Sequence, residues 1–173
     1  MNNHAFISYS SSEYQAAANI RQVLTQYRVT CWMAPESIPP GSNYAAEIAG
    51  AISGCFVFVL VLSEKSQQSP HVEKELNLAI NSRKPVIPFH IDHSEVNAQF
   101  NYFLTNVQRI SACDRMQAAY GELIRTIQQI SGQQPASPYG GTGPAQAQGG
   151  MSRNAAPAQY AAPVTTPDFR SLI

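Results

Sequence analysis

The chain has 173 residues, with 11 lysines and arginines against 11 acids and 44% apolar residues. That length suggests one domain with enough apolar material for a core, and the even charge gives no general pull toward nucleic acid or an anionic membrane surface. The longest apolar run, "CFVFVLVL" from Cys55 to Leu62, is eight residues long, where a membrane helix needs about 20.

The N-terminal "MNNHAFISYS" carries no basic segment followed by an apolar stretch, so no signal peptide is expected. "HAFISYS" is a short apolar run closed by serines and reads as a strand. Residues 13–27 place Ala16, Ile20, Val23, Leu24 and Tyr27 in one apolar stripe, the mark of a helix, with Ser12 as its expected cap. "VTCW" is a second strand. "MAPESIPPGSN" is a loop rich in proline and glycine, and Ser37, Ile38, Pro39, Pro40 and Gly41 within it form an expected mobile flap whose turn the Pro-Pro-Gly run fixes. "YAAEIAGAI" follows as a helix capped by Ser42 or Asn43.

"CFVFVLVL" is apolar on both faces, as the middle strand of a parallel sheet must be. "SEKSQQS" reads as a polar loop. The next helix begins with Ser69 as cap and Pro70 in its first turn. "PVIPFHI" is a fourth strand, and Pro88 suggests a sheet edge or the strand's C-terminal end. After a less regular region, "NVQRI" is a short fifth strand, and residues 114–130 form a last helix with Asp114 as expected cap. Residues 131–173 hold 6 of the 12 prolines and 6 of the 10 glycines. The chain therefore divides into a folded unit over residues 1–130 and an expected disordered tail over residues 131–173.

Strand and helix alternate four or five times, which implies a three-layer α/β sandwich of the flavodoxin-like kind with a parallel sheet. In such sheets binding groups gather on the loops beyond the carboxyl ends of the strands. Those loops are 8–12, 33–43, 63–69 and 90–96. Several chemistries are excluded. The chain has no G-x-G-x-x-G after the first strand, no P-loop motif and no G-x-S-x-G elbow. Cys31, Cys55 and Cys113 form no CxxC pair, which points to a reducing, cytoplasmic setting. No cluster has metal-ligand spacing, so no metal is expected, and "HIDH" reads as a polar loop after a strand.

Glu75 stands out. It shares the stripe of Val72, Leu76 and Ala79 on the helix after Ser69. Two readings are open: a carboxylate at the rim with its head in water or paired with His71, or one facing a cleft at the sheet's carboxyl edge. In the cleft, burial raises its pKa and suits it to a developing positive charge.

"AFISYSSSEY", "CWMAPESIPPGSNYAAEIAGAI", "VFVLVLSEKSQQSPHVEKE", "PVIPFHID" and "NYFLTNVQRISA", in this order and spacing, resemble a Toll/interleukin-1 receptor (TIR) domain of the bacterial kind. The resemblance implies a five-stranded parallel sheet covered on both faces. It also implies NAD+ as substrate, without a further cofactor, cleaved at the nicotinamide–ribose bond to ADP-ribose or a cyclic product. Glu75 is then the catalytic carboxylate, in the pattern Ser69, His71, Val72, Glu75, with His71 standing where the family commonly has tryptophan. Ser8, Tyr9, Trp32, Ser69 and His71 are the expected substrate-binding residues, though Trp32 reads equally as core packing and Ser69 equally as a helix cap. The family also implies self-association through TIR–TIR contacts that involve the loop at Ser37–Gly41. A role in antiphage defence follows, with a downstream effector sensing the product. The alternatives are a non-catalytic adaptor and a host-directed virulence factor.

Overall fold

The computed structural model describes residues 4–132, so the tail expected from residue 131 onward falls almost entirely outside the described residues. The strands are β1 (Ala5–Ser8), β2 (Cys31–Trp32), β3 (Val57–Leu62), β4 (Val86–His90) and β5 (Ile110–Ser111). They form one parallel sheet in the order β2-β1-β3-β4-β5. The helices are α1 (Tyr14–Gln26), α2 (Tyr44–Gly54), α3 (Glu64–Gln67), α4 (Pro70–Asn81), α5 (Ala98–Phe103) and α6 (Met116–Ser131). Helices α1 and α6 pack together, as do α2, α4 and α5, which gives the expected three-layer sandwich.

The pleat decides which side chain meets which helix, because successive residues of a strand point to opposite faces. Phe6, Phe58, Leu60 and Leu62 share one buried cluster with Ala51 and Ile52 of α2, Val72, Leu76 and Ala79 of α4, and Phe100 of α5. On the α6 side, Phe89 stacks on Tyr120 at 5.6 Å. All six residues of β3 are buried, which explains the run that is apolar on both faces. Ser8 has the parity of Phe6 and pairs in register with Leu60. Its side chain is thereby delivered to the α4 face.

Four local expectations are corrected. Ser12 does not cap α1: a 3-10 turn over Ser11–Glu13 intervenes, and the Ser12 hydroxyl lies 3.1 Å from that of Ser10. Asp114 does not cap α6, because its carboxylate lies 3.1 Å from His93 Nε2 and Arg115 takes the cap position without a side-chain bond. Pro88 lies in an interior strand, paired with Leu60 of β3. The β4–β5 pairing begins only at Phe89, so β4 has a strand on one side alone at the position lacking an N–H. The "SEKSQQS" loop contains α3, closed by a reciprocal box in which the Ser63 side chain accepts from Ser66 N and Ser66 Oγ accepts from Ser63 N. The cap of α2 is Asn43, whose side chain accepts from Ala46 N at 3.1 Å.

Candidate active site

A cavity of about 310 Å³ opens beside the carboxyl ends of β1 and β2, lined by Phe6, Ile7, Tyr9, Ser11, Ala34, Pro35, Tyr44, Ser69, His71 and Glu75. Its volume is at the small end of ligand sites. Strand β1 and the start of α4 build one wall. The stem of the loop after β2 builds the other.

Glu75 lies in the second turn of α4, one residue before the buried Leu76. Its carboxylate accepts a hydrogen bond from Ser8 Oγ at 2.5 Å and has no cationic partner within 4 Å among the described residues. Burial pushes its pKa up to about 7, against which the Ser8 bond works in the lowering direction. The carboxyl group therefore changes protonation near neutrality, in a wall of the cavity. The reading in which it pairs with His71 is not what the fold produces: no ion pair joins the two among the described residues, and His71 is exposed at the rim.

The other expected residues divide. Tyr9 lines the cavity, and its hydroxyl donates to the carbonyl of Ala34, fastening the loop stem to the end of β1. Burial, then the negative charge of Glu36, pushes its pKa up to about 12, so it stays a donor. Ser69 is the cap of α4, its hydroxyl accepting from Val72 N at 3.4 Å, and it also lines the cavity. Ser8 reaches the site through Glu75. Trp32 does not line the cavity. It stacks on Phe6 at 4.9 Å and 15°, and Phe6 stacks in turn on Phe58 at 5.3 Å, so the indole extends an aromatic stack across three strands. Of its two readings, core packing is the one the fold uses.

Ser37–Gly41 stand beyond the lining as well. Ser37 Oγ accepts from Met33 N at 3.0 Å, Ile38 N donates to Pro35 O, and Ser42 N donates to Pro39 O. Pro40 and Gly41 occupy the middle of that last turn. Gly41 has φ +83°, the left-handed value that a turn with proline before glycine requires. An ion pair between Arg21 and Glu36 at 3.5 Å joins the loop to α1.

Tyr44, Ser11, Ala34 and Pro35 were not anticipated. Tyr44 is the first residue of α2 and is half exposed. An aromatic residue at a helix start behind a Pro-Gly turn was the available signal.

Residues 5–124 match the sequence profile of the TIR domain. The chain belongs to the TIR domain family. Among solved structures, the TIR domain of the Toll-related receptor TRR-2 from Hydra magnipapillata superposes with a TM-score of 0.63 at 20% identity, covering 72% of this chain and 97% of that one. The TIR domains of the activated Roq1 resistosome, which recognises the pathogen effector XopQ, give a TM-score of 0.50 at 19% identity over 74% and 84% of the two chains. At these identities the likeness is one of fold. No curated protein matches the sequence. Among the described residues of this TIR domain, no helix is long and apolar enough to cross a membrane.

Proposed function

We propose that this TIR domain cleaves the nicotinamide–ribose bond of NAD+, with Glu75 as the catalytic carboxylate. The single observation that carries the reading is the placement of Glu75: a carboxylate without a cationic partner among the described residues, in the wall of a cavity, held by Ser8. An adaptor has no use for that arrangement. A carboxylate serving only a protein–protein surface is expected on a filled face with a salt-bridge partner.

The chemistry follows from the leaving group. Nicotinamide is already cationic in NAD+, so the C1′–N bond breaks with its electron pair passing to the ring nitrogen and no acid is needed. Positive charge builds on the ribose. An ionised Glu75 beside the sugar offsets that charge and accepts hydrogen bonds from its hydroxyls. Water then attacks C1′, and its proton passes to a carboxylate whose pKa near neutrality suits proton transfer. ADP-ribose results. If a hydroxyl or adenine nitrogen of the same substrate attacks instead, the product is cyclic. The cavity is small for a dinucleotide, so the nicotinamide–ribose half sits inside it, and the remainder runs along the rim past Tyr44 and His71. A cytoplasmic setting, where NAD+ is abundant, and assembly of copies through the loop at Ser37–Gly41 belong to the same reading.

The test is incubation of concentrated protein with NAD+, with and without a crowding agent, followed by chromatographic separation of nicotinamide, ADP-ribose and cyclic products. Wild type is expected to release nicotinamide, and Glu75→Gln to lower the rate by about 10²–10³. Equal release by both proteins rejects the role of Glu75. No release under assembling conditions favours the adaptor.

A further inference from the structure

Sequence spacing gave no reason to expect a metal, yet the fold joins residues that spacing keeps apart. β4 and β5 are neighbouring parallel strands, with Phe89 opposite Ile110 and His90 opposite Ser111. Ala112 N continues the ladder to His90 O at 2.8 Å. The two chain segments leaving those strands emerge side by side. One carries His93 and the other carries Cys113 and Asp114.

We propose that His93, Cys113 and Asp114 form a binding site for a divalent transition-metal ion of the zinc type. One ligand atom from each of the three lies within 4.8 Å of the other two, and His93 Nε2 is 3.1 Å from Asp114 Oδ1. A tetrahedral ion with bonds of about 2.0–2.3 Å keeps its ligand atoms roughly 3.3–3.8 Å apart. The observed cluster needs only small side-chain rotations to reach that spacing, and the exposed His93 and Asp114 can make them around the half-buried Cys113. Imidazole, thiolate and carboxylate together select zinc or cobalt over magnesium and calcium, which prefer oxygen alone. Ser111 Oγ lies 3.4 Å from Cys113 Sγ and is placed to donate to the thiolate.

The neighbouring polar groups are otherwise committed. Asp92 accepts from Glu64 N and from both Ser94 N and Ser94 Oγ, and it lies 3.2 Å from His90 Nε2. His93 is the histidine of this loop that faces the β5 side. Three protein donors leave a fourth position for water, and the exposure of His93 and Asp114, about three quarters each, leaves it open to solvent. None of the three residues lines the Glu75 cavity, so the site is independent of the proposed NAD+ cleavage. A bound ion would tie the segment after β4 to the segment after β5.

The test is titration of the reduced, chelator-stripped full chain with cobalt(II) and then zinc(II). The expected result is a thiolate-to-cobalt charge-transfer band at one equivalent, bleached by zinc. The band should be absent in Cys113→Ser, and affinity should fall at least about ten-fold in His93→Ala. Zinc should also raise the melting temperature of wild type and leave that of Cys113→Ser unchanged, which separates a metal site from a folding defect. Cys31 and Cys55 are poor competitors, because burial raises the pKa of both thiols. A cobalt spectrum without a thiolate band, or a band that survives in Cys113→Ser, overturns the proposal.

Discussion

Ser8 and Glu75 meet at 2.5 Å although 67 residues separate them in the chain. The meeting follows from parity. Ser8 alternates onto the same sheet face as Phe6, and α4 lays Val72, Leu76 and Ala79 on that face, so the carboxylate at the edge of the helix stripe arrives over the last residue of β1. The bond fixes the carboxylate and opposes the effect of burial on its protonation.

Removal of that bond should therefore appear as a displaced pH profile. If ionised Glu75 is needed, nicotinamide release by wild type rises with pH through a midpoint near 7. Ser8→Ala leaves burial unopposed. A hydrogen bond to a charged group contributes about 1.5–3 kcal/mol, so the midpoint should move upward by about one to two pH units. A pH–rate series on both proteins measures it, and coincident midpoints would detach Ser8 from the ionisation of Glu75.

Glu75 also makes the stability depend on pH, with a definite sign. Its folded pKa, about 7, lies above the ordinary 4.5, so the folded state holds the proton more tightly than the unfolded chain. The stability linked to this group is fully present below about pH 4.5 and is lost as pH rises to about 7. Glu75→Gln keeps an acceptor for the Ser8 hydroxyl and carries no charge. It should gain up to about 3 kcal/mol over wild type at pH 8 and much less at pH 5. Thermal melts at the two pH values decide it. A variant that loses catalysis while gaining stability cannot owe its inactivity to unfolding.

The two roles of Ser69 are separable by Ser69→Asp. Aspartate caps a helix as well as serine does, whereas alanine costs about 1 kcal/mol. The aspartate adds a negative charge to the cavity wall, next to the path of a diphosphate. Stability near wild type with a raised KM for NAD+ is the expected outcome for Asp. Unchanged kinetics would reduce Ser69 to a cap.

Tyr9→Phe tests the fastening of the loop after β2. The change removes the donor to Ala34 O and keeps the ring. A loss of about 1 kcal/mol is expected, with faster amide hydrogen exchange across residues 33–43. Exchange there that matches wild type would show that the Arg21–Glu36 ion pair and the loop's own turns are sufficient to hold it.

Much of this fold was legible because its signals are local. The apolar run of β3, the stripe of α1 and the Ser69-Pro70 start of α4 each reside within a dozen residues. The run and the helix start appear where expected, whereas the buried stripe of α1 takes Ala17 with Ile20, Val23 and Leu24 in place of Ala16, and Tyr27 is the C-cap. What escaped depends on neighbours distant in sequence. Asp114 has the chemistry of a cap but turns to His93 across the β4–β5 boundary. Pro88 breaks one side of a ladder, yet β5 is so short that an interior strand tolerates it. Helix α5 has only six residues, too few to display a period. At the site, the place of Glu75 in the stripe left the rim and the cleft both open, and the fold sets it in the cavity wall. The opposing wall of Ala34, Pro35 and Tyr44 was not legible, since only the packing of the loop against β1 brings them near. Trp32 shows the converse: an aromatic residue at the mouth of a loop suggests a base platform until its ring is found on Phe6.

Both outermost strands, β2 and β5, are only two residues long. An incoming backbone would find almost no row of free amides and carbonyls on which to lay itself, so this sheet is poorly suited to growing sideways into fibrils. Any assembly of many copies must then be cemented by side chains on helices and loops, which leaves its geometry open to change by single surface substitutions.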